Sequence, residues 1–194
     1  MKHTILPTDI LPLAEYENIR AEKRAALREI KKNRRVSVGP YATFYFENYD
    51  TMWLQIQEML RIEKGGDVQL QDELRAYNPM IPNGRELTAT LMFEIEDPTR
   101  RATVLASLGG VEQTIELRFG GEIIKGKAEQ DLDYTSAEGK ASSVQFLHFP
   151  FTPTQIEKFI APGQEITVAI THPHYGHMAA LPQNVRTELA KDFG

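Results

Sequence analysis

Residues Val36 to Glu63, VSVGPYATFYFENYDTMWLQIQEMLRIE, constrain the fold more than any other stretch. After Gly39-Pro40, the run Tyr41 to Phe46 is rich in aromatic residues, which suits a pleated, part-buried surface. Alternation puts Ala42, Phe44 and Phe46 on one face and Tyr41, Thr43 and Tyr45 on the other. Rings on both faces imply a strand covered on both sides. The polar run Glu47-Asn48-Tyr49-Asp50 breaks that period, and Asp50 is an N-cap candidate. Met52, Trp53, Ile56, Met59 and Leu60 then recur at helical spacing until Gly65-Gly66. A strand and a helix that seed the core follow directly. A cofactor pocket around Trp53 and the methionines is the sharper alternative.

The remaining elements read as α+β, a mostly antiparallel sheet covered by helices, with residues 1–194 forming one domain. The N-terminal segment 1–35 is expected to dock as a helix capped by Thr8 or Asp9 and running to about Asn33. A second helix is predicted over 67–77, with Val68, Leu70, Leu74 and Tyr77 inward. Leu87 to Glu96 reads as a strand with a wet side, on which Glu94 and Glu96 form a conceivable carboxylate pair. Gly120-Gly121 between two β-patterned runs predicts a hairpin. Residues 129–141 read as an exposed loop. Thr152-Pro153-Thr154-Gln155 is a capping-box start. Residues 143–171 allow one parallel crossover within a mixed sheet. Glu165 to Thr171 reads as the last strand, and a short helix follows Pro182.

Charge is divided unevenly. Of 22 basic and 27 acidic residues, 8 and 2 fall between Arg20 and Arg35, leaving 14 and 25 elsewhere. A basic helix is attached to an acidic body, a pattern compatible with a solvated face, an acidic protein contact or, least well, a phosphate backbone. The chain has no cysteine, which excludes disulfides and thiolate chemistry. No stretch resembles a membrane span or a secretory leader, so a cytoplasmic protein is the expectation. Gly-x-Ser-x-Gly, P-loop and Gly-x-Gly-x-x-Gly patterns are all missing.

The late histidines carry the one chemistry with a shape. His148 and His172 end strands, and His174 and His177 follow within a few residues. If the two strands ran parallel, the imidazoles would meet at one sheet edge and, with a carboxylate, suit zinc or non-haem iron. A turn in which they bond backbone carbonyls is the alternative.

Several segments form one series: Asp9-Ile10-Leu11-Pro12-Leu13-Ala14-Glu15-Tyr16, then Arg34-Arg35-Val36-Ser37-Val38-Gly39-Pro40, then Phe46-Glu47-Asn48 with Gln55-Ile56-Gln57-Glu58-Met59-Leu60-Arg61. Leu87-Thr88-Ala89-Thr90-Leu91 and His172-Pro173-His174-Tyr175 extend it. Over nearly the whole chain these resemble the bacterial family catalogued as domain of unknown function 3501. The resemblance implies no activity. It implies a genomic setting near rubrerythrin-like and iron–sulfur proteins, hence a redox or peroxide-defence link and partners of that kind. The family's His-Pro-x-Tyr pattern is matched by His172, Pro173 and Tyr175, while His174 and His177 lie outside it. On this footing Glu47, Asn48, Gln55, Gln57, Glu58 and Arg61, with Tyr175, make a candidate interaction surface. The same polar residues can instead cap their helix and pair with the N-terminal one. The leading expectation is an accessory interaction protein. A histidine-based metal protein or metalloenzyme is second and a nucleic-acid binder third.

Overall fold

The aromatic run becomes the second strand of a five-stranded sheet in the computed structural model, which describes residues 2–129 and 134–194. In chain order the elements are α1 (Leu13–Lys32), β1 (Arg35–Val38), β2 (Ala42–Phe46), α2 (Tyr49–Glu63), α3 (Gly66–Tyr77), β3 (Glu86–Phe93) and α4 (Pro98–Ala106). There follow β4 (Ile115–Phe119), β5 (Glu122–Lys125), β6 (Lys127–Ala128), β7 (Val144–Pro150), α5 (Pro153–Ile160), β8 (Thr167–His172), β9 (Tyr175–Ala180) and α6 (Gln183–Leu189). The class is α+β. Among the described residues every strand pair is antiparallel.

The described residues form two sheets, of order β1-β2-β3-β7-β6 and β5-β4-β8-β9. Their inner faces share one core, in which Val36, Phe44, Phe46, Leu91 and Phe149 of the first meet Ile115, Leu117, Val168 and Ile170 of the second. The parallel crossover is therefore corrected: β7 and β8 belong to different sheets, and α5 carries the chain from one layer to the other. The connection over 151–166 is long enough for a crossover, and it is the pairing of β7 with β3 and of β8 with β4 that separates the two strands. Phe119, Phe151, Phe159 and Phe193 close one end, with ring centroids 4.8 to 5.8 Å apart.

The other face of the first sheet lies under helices. Met52, Ile56, Leu74 and Met80 form a second cluster there, with Phe146 packed against it. This cover overturns the wet side expected for the strand at 87–96, since Thr88 and Thr90 are buried. Their hydroxyls donate to the Met80 carbonyl (2.6 Å) and to Glu47 Oε1 (2.7 Å). Glu94 is exposed and accepts from the Tyr45 hydroxyl (2.7 Å), and both Glu94 and Glu96 lie beyond the end of β3.

Local signals fared unevenly. The hairpin forms at Gly120 and Gly121, with φ of 51° and 78°, a conformation suited to glycine. Thr152 and Gln155 bond reciprocally at the start of α5. For α2 the cap is Asn48, not Asp50. Asn48 is extended and accepts from the Thr51 N–H at 3.0 Å, while the Thr51 hydroxyl accepts from the Asn48 N–H at 2.9 Å. Thr8 and Asp9 lie in a separate 3-10 turn, and Pro12 precedes α1. Val68 is exposed on α3. The loop expected over 129–141 includes residues 130–133, outside the described residues; beyond them Tyr134 and Ala141 are buried. Among the described residues no helix is long and apolar enough to cross a membrane.

Candidate functional site

The four late histidines do not share one site: the His172 and His174 rings lie 5.8 Å apart, while His148 belongs to the other sheet. His148 lies on β7 between two carboxylates, with Nδ1 3.1 Å from Glu86 Oε2 and Nε2 2.6 Å from Glu129 Oε2. The ring nitrogens point in different directions, so the two carboxylates clamp the ring rather than converge on a common ion. Burial alone pulls the imidazole pKa down, but the two carboxylates together outweigh it and hold the pKa above 6.5. A raised pKa stabilises the fold below the unfolded value, and that contribution is lost as pH rises through the folded value. Native stability is therefore expected to fall from mildly acidic to mildly alkaline pH, and His148→Gln to flatten that slope. Denaturation midpoints across pH 6 to 8.5 check this (~2.5 pH units spanning the imidazole range).

His172 is buried at the end of β8, in the second sheet. Its Nε2 donates to the Gly109 carbonyl (3.2 Å), and its Nδ1 accepts from the His174 N–H (3.2 Å). Both ring nitrogens are thus used by backbone. His174 sits in the turn between β8 and β9, and exposed His177 packs its ring on Tyr175. Among the described residues no group of three or more His, Asp or Glu side chains is arranged to hold a metal ion. Trp53 likewise has a packing role: its indole N–H donates to the Asp9 carbonyl (2.8 Å), and its ring meets Tyr16 edge-on.

The polar residues around α2 divide into three uses. Glu47, Gln57 and Tyr175 are buried, and Asn48 is spent on the cap. The Tyr175 hydroxyl accepts from the N–H groups of Tyr41 and Ala42 (both 2.9 Å) and donates to the Val38 carbonyl (2.7 Å). It thereby fixes the β1–β2 turn and is not surface. Glu58 and Arg61 seat α1. Glu58 accepts a bidentate pair from Arg20 (2.7 and 2.8 Å) and the Tyr16 hydroxyl (2.5 Å), and Arg61 donates to Glu17 (2.6 Å). Arg20 leads in lowering the Glu58 pKa to about 2, with Tyr16 assisting against burial. A lowered pKa gives stability that is present above about 4.5 and lost as pH falls through about 2. Loosening of α1 is therefore expected only in strong acid, and Glu58→Gln should bring it to neutral pH. Trp53 fluorescence, which reports the Tyr16 contact, checks this.

Seating α1 creates a cleft of about 760 Å³. Arg24, Arg28 and Lys31 project from one side of α1, spaced so that they line one face. Arg35, Ser37 and Tyr45 from β1 and β2 form the facing wall, with Gln55 and Glu58 from α2 and Leu27 and Leu54 at the apolar contact. The Arg35 guanidinium lies over the Tyr45 ring, 5.6 Å from its centroid. Lys32 also lines the cleft and is paired with Glu29 (2.7 Å). Among the described residues no carboxylate lies within ion-pair distance of Arg24, Arg28, Lys31 or Arg35. Glu58, the cleft's carboxylate, is already neutralised by Arg20. The arrangement can hold anions. The basic run, Arg35 included, and Gln55 and Glu58 are legible in the sequence; that Arg35 joins Ser37 and Tyr45 in a wall opposite α1 is not, because only tertiary packing brings the two together.

A family model described as a protein of unknown function, DUF3501, matches residues 4–193. A crystal structure described as a novel protein of unknown function from Burkholderia pseudomallei is 36% identical, with a TM-score of 0.90, covering 98% of this chain and 100% of that one. A comparison with curated proteins gives no match.

Proposed function

This chain belongs to the DUF3501 family, and we propose that it is a non-catalytic binding protein that holds an acidic segment of a partner protein in the cleft between α1 and the first sheet. The observation that carries this reading is one cleft with four cations, Arg24, Arg28, Lys31 and Arg35, for which no carboxylate among the described residues lies within ion-pair distance, on a chain whose net charge is −5. Outside residues 20–35 the acidic residues outnumber the basic ones by 25 to 14. A long nucleic acid reaching beyond the cleft would meet that acidic body and be repelled. A short acidic segment gains the local attraction without that cost. Arg35 already covers a face of Tyr45, which leaves that face closed to a stacking base.

The reading includes a cytoplasmic setting, which a chain without cysteine suits. Rubrerythrin-like and iron–sulfur proteins, suggested by the family resemblance, are the first partners to test, and a redox role would follow from theirs. Amide hydrogen exchange with and without a Glu-rich peptide tests the assignment. Protection is expected at residues 24–37 and 54–58. Protection confined to other elements would overturn it.

A further inference from the structure

We propose that β9 is a pairing edge through which a second copy of this chain joins by an antiparallel β9–β9 ladder. The inference uses a different surface from the cationic cleft and stands independently of it.

The Leu181 N–H donates to the Ile166 carbonyl at 2.7 Å, so Leu181 faces β8. Alternation then turns Tyr175, His177 and Ala179 toward β8, in register with His172, Ile170 and Val168. The N–H and C=O groups of Gly176, Met178 and Ala180 point the other way, off the end of the second sheet. All three residues are exposed.

The contrast with the other sheet edges is what singles this one out. Edges are ordinarily blunted by short length, charge, proline or a bulge. β1 has four residues and carries Arg35; β5 has four and is bracketed by Glu122 and Lys125; β6 has two, one of them Lys127. β9 has six residues, Tyr-Gly-His-Met-Ala-Ala, with no carboxylate, lysine, arginine or proline. Met178, at its centre, is 63% exposed.

The strand is also matched to itself. A two-fold axis through Met178 sets Met178 against its own copy and Gly176 against Ala180. Each outward-facing residue then exchanges both its N–H···O bonds with its partner. Small residues meet small ones, no like charges come together, and the two exposed thioether side chains pack side by side. The second sheets of the two copies become one continuous sheet. A single strand pair buries less than a standard interface, so the dimer is weak and depends on protein concentration.

Sedimentation velocity over a concentration series on the full chain tests this, with Met178→Lys and Met178→Glu, each checked for an unchanged thermal melt. The wild type is expected to shift from monomer toward dimer as concentration rises. Each variant should stay monomeric, because like charges face each other across the axis. An equimolar mixture of the two variants should recover the dimer, a result that mere misfolding of β9 would not give. A wild type that stays monomeric throughout, or a dimer that survives in either variant alone, overturns the proposal.

Discussion

Replacing Arg34 with alanine is expected to remove about 4 kcal/mol of stability at neutral pH, read as a lowered denaturant midpoint with an unchanged slope. In sequence Arg34 belongs to the basic run, yet it is 1% exposed. Its guanidinium donates to the carbonyls of Phe46 (2.9 Å) and Glu47 (2.8 Å) and pairs with Asp192, itself 1% exposed. Glu188 lies 3.7 Å from the same group. Burial dominates at Asp192 and raises its pKa despite the cation beside it. Without Arg34 that carboxyl must be protonated or stay buried and charged. Taking a proton at pH 7 from an ordinary value of 3.8 spans roughly three units, at about 1.4 kcal/mol each. The two orphaned carbonyls add to this. For a protein of ordinary stability, about 5 to 15 kcal/mol, that is a large share. The double variant Arg34→Met with Asp192→Leu should recover most of it, because no buried charge then remains. A loss below about 1 kcal/mol for Arg34→Ala would mean the pair is not buried as described.

Reversing Arg28 and Lys31 together to glutamate is expected to weaken binding of an acidic peptide by at least about 100-fold, near 3 kcal/mol, while leaving the fold intact. Both side chains are exposed, and no ion pair holds either among the described residues. Substitutions at such positions ordinarily change stability by about 0.5 kcal/mol or less. Binding differs because the two reversals turn attraction into repulsion at the centre of the cleft. Wild-type affinity should drop steeply as salt rises, and the residual binding of the variant should change little. The contrast with Arg34 is instructive: neighbours in one basic run serve the interior and the surface.

Much of the fold was legible because local chemistry and tertiary placement agreed. The stripe of Met52 and Ile56 is buried, Gly120-Gly121 turns the hairpin, and Thr152 caps α5. What was hidden depended on partners distant in sequence. Periodicity marks β7 and β8 as strands but does not say which sheet each joins, and the parallel reading rested on that choice. β9 carries little strand signal in its sequence, because Gly176, Ala179 and Ala180 lack the branched or aromatic side chains that mark a strand. The polar residues of α2 were visible as a group. Their use in seating α1 depends on Arg20 and Glu17, which lie opposite Glu58 and Arg61 and are distant from them in sequence.

The most direct test is a competition at fixed salt, by fluorescence anisotropy, between a Glu-rich peptide and a single-stranded oligonucleotide of equal charge. The wild type is expected to prefer the peptide, and Arg28→Glu with Lys31→Glu to lose it. Tighter binding of the oligonucleotide, or equal peptide affinity in the two proteins, would contradict this expectation.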